Sequence, residues 1–465
     1  MTQNHIAFFQ SVVGSTYVLT NASDLESYGR DWTKVYKPDP MAIVLPASTD
    51  QVSKIARYCS EHRLSLVPSG GRTGLAGGSV AANKEVVISL NRMSKIEKID
   101  CVGMTVACEA GVTLQQLQEA AADNDVYFAL DLAAKGSCHI GGNIATNAGG
   151  VKFVRYGGMR ELVLGLEVVL PSGEVLNMNH SLRKNNTGYD LKHLFIGSEG
   201  TLGIITRATM KLNSKPGNLV VSLMATASFA EVPKILERCN MMRAPITAFE
   251  FFTDIAHKVV LNHNPNLKTP FAEKHACYVL LEVDAGKGGD DVIEPILESL
   301  FNDGLINDAV VAGTAAQMTE FWSHRENISE SIAAAGFAHK NDISIPIDQL
   351  GAFIAGLNAL IAKEASKVMC IVFGHIADGN LHLNYLAPKG TDLTLFKDSV
   401  KVLEKKVFDL IKAHEGSISA EHGIGLLKKK DLPYSRTASE IEIMRGIKKI
   451  FDPQNIMNPG KIFDC

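Results

Sequence analysis

The sequence predicts an α+β fold with more than one domain, and three observations support this. The chain has 465 residues, which is too long for one typical domain. Strand-like and helix-like runs alternate along most of it. Glycine clusters occur three times before Lys215-Pro216-Gly217, whereas the region after that point shows no comparable cluster. We therefore predict domains over 1–215 and 216–425, followed by a short C-terminal helical segment over 426–465.

The elements of these regions follow from hydrophobic periodicity and turn residues. Strands of the first domain are predicted at 42–45, 64–67, 85–90 and 163–170, and its helices at 50–62 and 114–124. The second domain is predicted to hold an antiparallel sheet with flanking helices, comprising strands at 219–224 and 278–283, a hairpin over 370–385, and helices at 229–241, 290–302 and 395–414. A last helix is predicted over 437–451, where Thr437 and Glu440 have capping-box spacing.

Composition places the chain among globular proteins, since 46% of its residues are hydrophobic and 21% are charged. The net charge is −4 without a block of like charges, so no nucleic-acid partner is predicted. No apolar run is long enough for a membrane span, and the N terminus lacks the basic region of a secretory signal. We expect a soluble cytoplasmic protein. Its eight cysteines include no CxxC pair, so buried free thiols are expected rather than disulfides or iron–sulfur clusters.

The three glycine clusters predict a phosphate-binding region, because glycine lets backbone N–H groups approach a phosphate closely. They lie at 68–79, 136–150 and 197–203 and match neither a Walker loop nor the GxGxxG dinucleotide fingerprint. One such cluster would more often be an ordinary turn. Three in one α/β region predict one extended ligand with a pyrophosphate and a flat ring.

The segment 375–382 predicts a metal-binding hairpin. Asp378-Gly379 is a strong signal for a two-residue type I′ turn, which would pair 377 with 380 and His375 directly with His382. The two imidazoles would then lie on one sheet face with Cβ atoms about 4.5–5.5 Å apart. The alternative is a pair of polar residues on a solvated strand face.

Glu421 and His422 extend this prediction with a third ligand and a possible base. In a regular strand, neighbouring side chains point to opposite faces, but Gly423 and Gly425 make an irregular backbone plausible. The alternative is a carboxylate at a helix end beside a surface histidine.

Long stretches of the chain resemble a known flavoprotein family. Residues 130–150, 183–190, 197–206, 374–384 and 419–425 are similar to those of the vanillyl-alcohol-oxidase or PCMH-type family. The branch is that of the FAD-dependent D-2-hydroxyacid dehydrogenases, which includes D-lactate dehydrogenases and glycolate oxidase subunits. Within it, the dehydrogenases of D-2-hydroxyglutarate are most similar. The resemblance implies a PCMH-type FAD-binding domain made of two α/β subdomains, with the C-terminal segment packing back on it.

The resemblance also implies that FAD is bound non-covalently. Relatives with covalent flavin often have a histidine where this chain has Arg72, so Arg72 is expected near the phosphates; the alternative is a surface turn residue. The FAD-binding residues that it implies are Gly70, Gly71, Arg72, Thr73, Gly74, Gly77, Gly78, Ser79, Gly136, Ser137, Gly141, Gly142, Asn143, Thr146, Asn147, Gly149, Gly200, Gly203, Ile205 and Asn458.

The implied reaction removes a hydride from the α-carbon of a hydroxyacid to flavin N5. A divalent metal, zinc before manganese, iron or cobalt, would polarise the α-hydroxyl. Its ligands would be His375, His382 and Glu421, which leave coordination positions open for substrate. His422 would be the general base, since imidazole exchanges protons near neutral pH, and it would also contact the substrate. Asn384 would donate to the substrate carboxylate.

A second anchor would select the substrate. Arg325 and Ser329 are four residues apart on a predicted helical stretch and would share a face, and Lys340 adds a second positive charge. In relatives that oxidise 2-hydroxyglutarate, these positions bind the distal carboxylate, although Thr is common where Ser329 stands. D-2-hydroxyglutarate, oxidised to 2-oxoglutarate, is therefore favoured over D-lactate or a glycolate-type acid. The alternative for Arg325 is an ion pair with a nearby acid.

Two other classes of function are open on the sequence. A zinc hydrolase could use the histidine pair, but it leaves the glycine loops unexplained. A flavin electron carrier without substrate chemistry leaves His422 and the metal ligands unexplained. The family resemblance implies an electron acceptor such as an electron-transfer flavoprotein or a quinone-linked carrier, and a homodimer is a further expectation.

Overall fold

The computed structural model describes residues 2–286 and 288–465. The chain forms two compact units. The first, here called the glycine-loop unit, comprises Met1–Gly150, Tyr156–Lys215 and Glu421–Cys465. The second, here called the seven-strand unit, comprises Val151–Arg155 and Pro216–Ala420. The C-terminal segment from Glu421 onward therefore belongs to the same unit as the N-terminal region.

The described residues contain sixteen α-helices. In chain order they are α1 (Thr2–Val13), α2 (Ala22–Tyr28), α3 (Thr49–His62), α4 (Leu114–Asp123), α5 (Ile140–Ala145), α6 (Phe153–Tyr156), α7 (Met159–Leu162), α8 (Lys192–Phe195), α9 (Val232–Met241), α10 (Asp254–His263), α11 (Ile293–Asn302), α12 (Ala315–Glu326), α13 (Ile328–Ala335), α14 (Leu350–Glu364), α15 (Leu393–Ala413) and α16 (Ala438–Phe451).

Eighteen β-strands lie in the same described part of the chain. They are β1 (Val18–Leu19), β2 (Ala42–Val44), β3 (Leu66–Ser69), β4 (Val86–Ser89), β5 (Ile96–Asp100), β6 (Thr105–Glu109), β7 (Val126–Tyr127), β8 (Val163–Val169), β9 (Val175–Met178), β10 (Ile204–Lys211), β11 (Asn213–Ser214), β12 (Leu219–Thr226), β13 (Ile246–Thr253), β14 (Cys277–Asp284), β15 (Asp308–Val311), β16 (Gly336–Ser344), β17 (Met369–His375) and β18 (Asn380–Pro388). The predicted mixed helix-and-sheet class is confirmed.

Two main sheets build the glycine-loop unit. The first has the strand order β1-β2-β4-β3, in which β2 and β3 run parallel to β4. The second is antiparallel with the order β5-β6-β10-β8-β9. Helix α3 begins after its N-cap Ser48 and buries Val52, Ile55 and Cys59 on one side, as expected of an amphipathic helix. The first glycine cluster follows directly after β3, so the parallel sheet fixes where it starts.

The seven-strand unit is one antiparallel sheet with the order β15-β12-β14-β13-β17-β18-β16. Side chains alternate between its faces. Glu250 of β13 pairs with His375 of β17, and Phe373 of β17 pairs with His382 of β18. His382 in turn pairs with Asp342 of β16. These polar residues therefore share one sheet face, at the strands where ligands were predicted.

Helices cover part of that same face. Phe252 and Ile371 of the sheet pack with Phe321 of α12 and with Ile328 and Ile332 of α13 in one buried cluster. Apolar packing on the shared face brings the end of α12 against the strands, and this places Arg325 beside the polar residues.

The hairpin between β17 and β18 corrects the predicted register. His375 pairs with Asn380 rather than with His382, and a 3-10 turn over Ile376–Asp378 followed by Gly379 joins the strands. A type I′ turn needs positive φ at both central residues, and here only Gly379 has it, at φ 76. The shift is two residues, so His375 and His382 remain on one face as diagonal neighbours.

Other predictions from the sequence can also be checked against the fold. The capping box of Thr437 and Glu440 at α16 is confirmed. All eight cysteines are free thiols, and five of them are buried. Within the described residues, none of the helices combines the length and the apolar character that crossing a membrane requires.

Candidate active site

A cavity of about 930 Å³, counting its open mouth, lies in the glycine-loop unit between the three glycine clusters. Of the residues predicted to bind FAD, it is lined by Gly70, Gly71, Arg72, Thr73, Gly74, Gly78, Ser79, Gly141, Gly142, Asn143, Thr146, Gly200, Gly203 and Ile205. His422 lines the same cavity. The structure thus brings the glycine loops and the predicted base together within one unit.

Six of the residues predicted to bind FAD lie outside this lining. Gly136 and Ser137 are exposed, and Asn147 accepts a hydrogen bond from the Arg160 backbone at 3.0 Å. Asn458 donates to the Gly78 and Glu199 carbonyls at 2.8 and 2.7 Å, which joins the first loop to the third. The other two are Gly77 and Gly149. For Asn147 and Asn458, the visible role is to hold the loops in place.

Close backbone approach explains why glycine is needed at the floor of the cavity. A Cβ atom on Gly71 would lie 1.9 Å from the Ser137 carbonyl oxygen, far inside van der Waals contact. Gly200 has φ +71, a left-handed conformation that side chains disfavour. The first and second loops therefore pack against each other through backbone at Gly71.

Arg72 lies beside the cavity rather than on a free surface turn. Its backbone has φ 59, its Nη1 donates to the Gly70 carbonyl at 3.1 Å, and its guanidinium stacks 4.3 Å from the centroid of the Tyr28 ring. Burial lowers the pKa of this guanidinium. A partly desolvated positive charge at this position suits an anionic ligand.

Polar atoms at the cavity fit a bound FAD. Among the described residues, the buried atoms Ser69 Oγ, Ser79 Oγ and His139 Nδ1 have no hydrogen-bond partner, and all three residues line the cavity. Burial, with a smaller effect of nearby Arg72, lowers the pKa of His139 to about 4, so its imidazole is neutral at neutral pH. A buried polar atom without a partner in a native protein calls for an explanation, and a bound ligand or water is one. These polar atoms, the glycine loops and the Arg72 guanidinium suit a ligand that carries phosphates and a polar ring.

The tight approach at Gly71 gives a testable prediction. We expect Gly71→Ala to destabilise the glycine-loop unit by about 1–3 kcal/mol, because the added methyl forces the backbone apart, and to reduce flavin retention. The measurements are the melting temperature and the flavin-to-protein absorbance ratio after desalting. Gly446→Ala in α16, where an added Cβ meets no atom within 4 Å, is the matched control. Normal flavin content in Gly71→Ala would contradict the assignment of the glycine-loop cavity as the FAD site.

An irregular segment carries Glu421 and His422, as the nearby glycines predicted. Gly423 and Gly425 have φ of 78 and 50. The buried carboxylate of Glu199 accepts hydrogen bonds from the N–H groups of Ile424 at 2.7 Å and Gly425 at 2.8 Å. Burial raises the pKa of Glu199, and these two hydrogen bonds oppose that rise. Glu199 therefore fixes the loop that presents His422 to the cavity.

Glu421 itself does not stand at a helix end. Its Oε1 accepts a hydrogen bond from the backbone N–H of Gly150 at 2.8 Å. The carboxylate is thus held by the end of the second glycine cluster.

In the seven-strand unit, each predicted histidine ligand faces a buried carboxylate. His375 Nδ1 lies 2.7 Å from Glu250 Oε1, and His382 Nδ1 lies 3.5 Å from Asp342 Oδ1. The two imidazole rings are 5.4 Å apart between centroids and nearly perpendicular. A carboxylate behind the Nδ1 atom is the usual partner of a metal-binding histidine, so this pair has the chemistry of a metal site.

Arg325 is buried and already faces an acid. Its Nη2 lies 2.8 Å from Glu250 Oε2, and its guanidinium lies 4.7 Å from the Phe373 ring centroid. This is the ion pair that the alternative interpretation of Arg325 predicted. The Arg325 Nε atom has no hydrogen-bond partner among the described residues, so part of the guanidinium could still bind a ligand.

The helix predicted to carry Arg325 and Ser329 is not continuous, which corrects the shared-face argument. Helix α12 ends at Glu326 and α13 begins at Ile328, because Asn327 has φ −77 and ψ −1, a ψ far from the helical value. Arg325 is consequently buried while Ser329 is exposed. Ser329 does not lie in the same surroundings as Arg325.

Two other predicted substrate residues face each other across strands. Lys340 of β16 pairs with Asn384 of β18. Asn384 is buried, and its Nδ2 has no partner within the described chain, whereas Lys340 is exposed. A buried amide donor on the histidine face is suited to an acceptor on a ligand.

Glu250 and Asp342 were not predicted as site residues from the sequence. Glu250 stands within the strand sequence Ile246-Thr-Ala-Phe-Glu-Phe-Phe-Thr253, where every residue but the last is buried. A charged residue inside such a strand must have a buried partner, and this signal could have identified it. Asp342 gives a weaker signal because polar residues surround it in β16.

These features define a flavin-dependent oxidoreductase: one unit has a glycine-loop cavity that fits FAD, and the other an antiparallel sheet with a polar face. Family comparison agrees, since residues 40–179 match the FAD binding domain and residues 215–462 match the C-terminal domain of FAD-linked oxidases. The chain belongs to the FAD-linked oxidase family.

Curated relatives are similar over the whole or most of their length. A protein of Xanthomonas citri pv. viticola named D-2-hydroxyglutarate dehydrogenase is 43% identical over 465 residues, covering 100% of this chain and 98% of the relative. One of the same name from Stutzerimonas stutzeri is 43% identical, with 96% of each covered. The mitochondrial D-2-hydroxyglutarate dehydrogenase of Arabidopsis thaliana is 38% identical, covering 98% of this chain and 81% of the relative.

Solved structures show the same fold at low identity. p-Cresol methylhydroxylase with substrate bound superposes with a TM-score of 0.78 at 17% identity, covering 99% of this chain and 97% of that chain. 4-Ethylphenol oxidase from Gulosibacter chungangensis gives 0.77 at 20% identity with the same coverage. The predicted PCMH-type fold is confirmed.

Proposed function

We propose that this protein catalyses the FAD- and metal-dependent oxidation of D-2-hydroxyglutarate to 2-oxoglutarate. The observation that carries the proposal is that His422 lines the same cavity as the three glycine loops, so a proton acceptor adjoins the site that fits FAD. The choice of substrate is supported by full-length relatives that bear the name D-2-hydroxyglutarate dehydrogenase.

In the proposed reaction, FAD and the metal have one set of roles, and His422 and Glu199 have another. When bound, FAD would supply a two-electron acceptor for the hydride, and a divalent metal would supply a positive charge that polarises the α-hydroxyl oxygen. His422 would accept the hydroxyl proton as the hydride leaves the α-carbon, so the hydroxyacid loses two electrons and two hydrogens in total. The Glu199 carboxylate keeps the backbone after His422 in place for this step.

For the metal, we propose His375, His382 and Glu421 as ligands and zinc as the ion. Within the seven-strand unit, the Ala420 N–H donates to Asp342 Oδ2 at 3.2 Å, and Asp342 pairs with His382. Glu421 is the next residue in the chain, one Cα–Cα step of about 3.8 Å further on. Chain connectivity therefore supports Glu421 as the third ligand.

For the substrate, we propose that Arg325 binds the distal carboxylate, with Lys340 as a secondary contact and without the predicted help of Ser329, and that Asn384 donates to the carboxylate next to the reacting carbon. A guanidinium can hold a carboxylate through two parallel hydrogen bonds. The unpartnered buried Nε of Arg325 and Nδ2 of Asn384 support these roles.

A second candidate function is oxidation of a D-2-hydroxy monoacid such as D-lactate. The observation in its favour is the contact between Arg325 and Glu250, which neutralises much of the positive charge that a distal carboxylate would need. The two candidates differ only in the second carboxylate of the substrate, so they share one test.

That test is a panel of D- and L-2-hydroxyacids assayed with an artificial dye acceptor, before and after chelation. We expect the highest kcat/KM for D-2-hydroxyglutarate, little activity with L-acids, loss of activity after chelation, and recovery on adding zinc. D-lactate as the best substrate would favour the second candidate. Full activity after metal removal, confirmed by elemental analysis, would contradict the metal proposal.

We further propose an electron-transfer flavoprotein or a quinone-linked carrier as the natural electron acceptor, on the basis of the family resemblance. The expected homodimer and the cytoplasmic location remain predictions. Reduction of a purified electron-transfer flavoprotein by the protein and substrate would test the acceptor directly.

A further inference from the structure

We propose that Glu250 is a positioning residue that holds the metal ligand His375 and the substrate-binding Arg325 in one rigid unit. This inference rests on the proposed function, because it concerns how those two residues act together. Glu250 was not among the site residues predicted from the sequence.

The geometry of Glu250 is that of a bridge. Its side chain is 1% exposed, and its two carboxylate oxygens face different partners. Oε1 lies 2.7 Å from His375 Nδ1, and Oε2 lies 2.8 Å from Arg325 Nη2. Glu250 and His375 are also directly paired across β13 and β17, so the backbone sets the first contact. The second contact spans from the sheet to helix α12.

The contact to His375 determines which ring nitrogen can bind a metal. An ionised carboxylate only accepts hydrogen bonds, so His375 Nδ1 must carry a hydrogen toward Glu250. The lone pair of the neutral ring is then on Nε2, the atom that would coordinate the ion. A carboxylate in this position also makes the imidazole a stronger ligand.

The contact to Arg325 sets where the substrate's far end would bind. Held by Glu250 and stacked on Phe373, the guanidinium loses much of its rotational freedom. A diacid chelated at the metal by its hydroxyl end would therefore meet Arg325 at a fixed distance. Positioning both ends through one carboxylate favours substrates of one length.

Asp342 is the carboxylate that faces the second histidine, His382. Asp342 Oδ1 lies 3.5 Å from His382 Nδ1 and accepts from Asn380 Nδ2 at 2.8 Å, while its Oδ2 accepts from the Ala420 backbone. These contacts of Asp342 involve His382 and Asn380 of β18 and the backbone of Ala420. Glu250 instead connects the histidine to a predicted substrate-binding residue.

Glutamine is the informative substitution at this position. Its single amide oxygen can accept from His375 or from Arg325, and its NH₂ group would then point at the other donor. Glu250→Gln therefore keeps the shape, breaks one of the two contacts and removes the negative charge that both His375 and Arg325 face. Glu250→Asp keeps the charge beside Arg325 but is one methylene shorter, so it cannot reach both partners.

The experiment measures metal affinity and substrate selectivity separately. For Glu250→Gln we expect zinc binding, measured by competition with a chromogenic chelator, to weaken by about 10- to 100-fold. At saturating zinc, we expect the KM for D-2-hydroxyglutarate to rise by about tenfold relative to the KM for D-lactate. Glu404→Gln is the matched control, because it alters another carboxylate–histidine contact, to His339 at 2.6 Å, outside the proposed site. It should change neither value.

The outcomes separate this inference from the proposed function. Unchanged zinc affinity and an unchanged KM ratio in Glu250→Gln would overturn the bridge, while an active, zinc-binding wild type would leave the proposed function standing. A wild type that neither binds zinc nor oxidises 2-hydroxyacids would overturn both. If Glu250→Gln does not fold, Glu250→Asp decides: a shift of tenfold or more in either value supports the bridge, and no shift overturns it.

Discussion

Replacing His422 by alanine is expected to lower kcat for D-2-hydroxyglutarate by about 10²- to 10⁴-fold, the usual contribution of a general base. His422 lines the cavity that fits FAD, and the Glu199 carboxylate holds the backbone just after it through the N–H groups of Ile424 and Gly425. Removal of the imidazole should therefore leave the loop in place while removing the proton acceptor. The measurement is steady-state kinetics with a dye acceptor at saturating substrate.

A loss of this size has meaning only if flavin remains bound. The flavin absorbance of His422→Ala should match that of the wild type, because the glycine loops and Arg72 provide most of the cavity. His62→Ala, which alters an exposed histidine at the end of α3, serves as the control and should retain normal kcat. A loss of activity of only about threefold is much smaller than the loss expected on removing a general base. Such a result would show that another group accepts the proton.

The glycine clusters show why much of the FAD-binding unit was predictable from sequence. Position 71 requires glycine because the backbone there approaches another segment too closely for any side chain. The structural constraint is therefore visible in the residue type itself. The strand before the first cluster and the helix over Thr49–His62 likewise follow from local periodicity. Sequence prediction succeeds here because the residue type at Gly71 reflects a close contact directly, and because the periodicity of a strand or helix is local.

The hairpin shows where local rules fail. Asp378-Gly379 has the composition of a type I′ turn, yet the strands pair two residues away from the register that such a turn requires. The Gly379 backbone is engaged by the neighbouring chain, since its carbonyl accepts from the Ile345 N–H at 2.9 Å. A contact with a residue 34 positions away is not visible in the turn sequence. Because the shift is an even number, the side chains kept their face.

The polar face of the sheet shows a third case, in which the residues were predicted but their partners were not. His375, His382 and Arg325 could be named from spacing and resemblance, whereas Glu250 and Asp342 depend on the order of strands β13, β17, β18 and β16. That order is set by packing across the whole sheet and has no short-range signature. The ligand and substrate roles of these residues remain predictions.

Replacement of Arg325 distinguishes the diacid from the monoacid function. If Arg325 binds the distal carboxylate, Arg325→Ala removes a charge-assisted interaction of about 1.5–3 kcal/mol, which corresponds to a KM for D-2-hydroxyglutarate raised by about 10- to 100-fold. D-lactate has no second carboxylate, so its KM should change little. The measurement is the ratio of the two KM values in wild type and variant.

Because Arg325 contacts the buried Glu250 carboxylate, the alanine variant needs a lysine variant beside it as a control for folding. Alanine leaves the buried Glu250 carboxylate without one of its partners, and an uncompensated buried charge destabilises a protein by about 3–5 kcal/mol. Arg325→Lys keeps the positive charge but loses the two-pronged hydrogen bonding of a guanidinium, so it should fold normally and still raise the KM for the diacid selectively. Equal effects on both acids in the lysine variant would mean that Arg325 serves Glu250 alone, and the monoacid function would then be favoured.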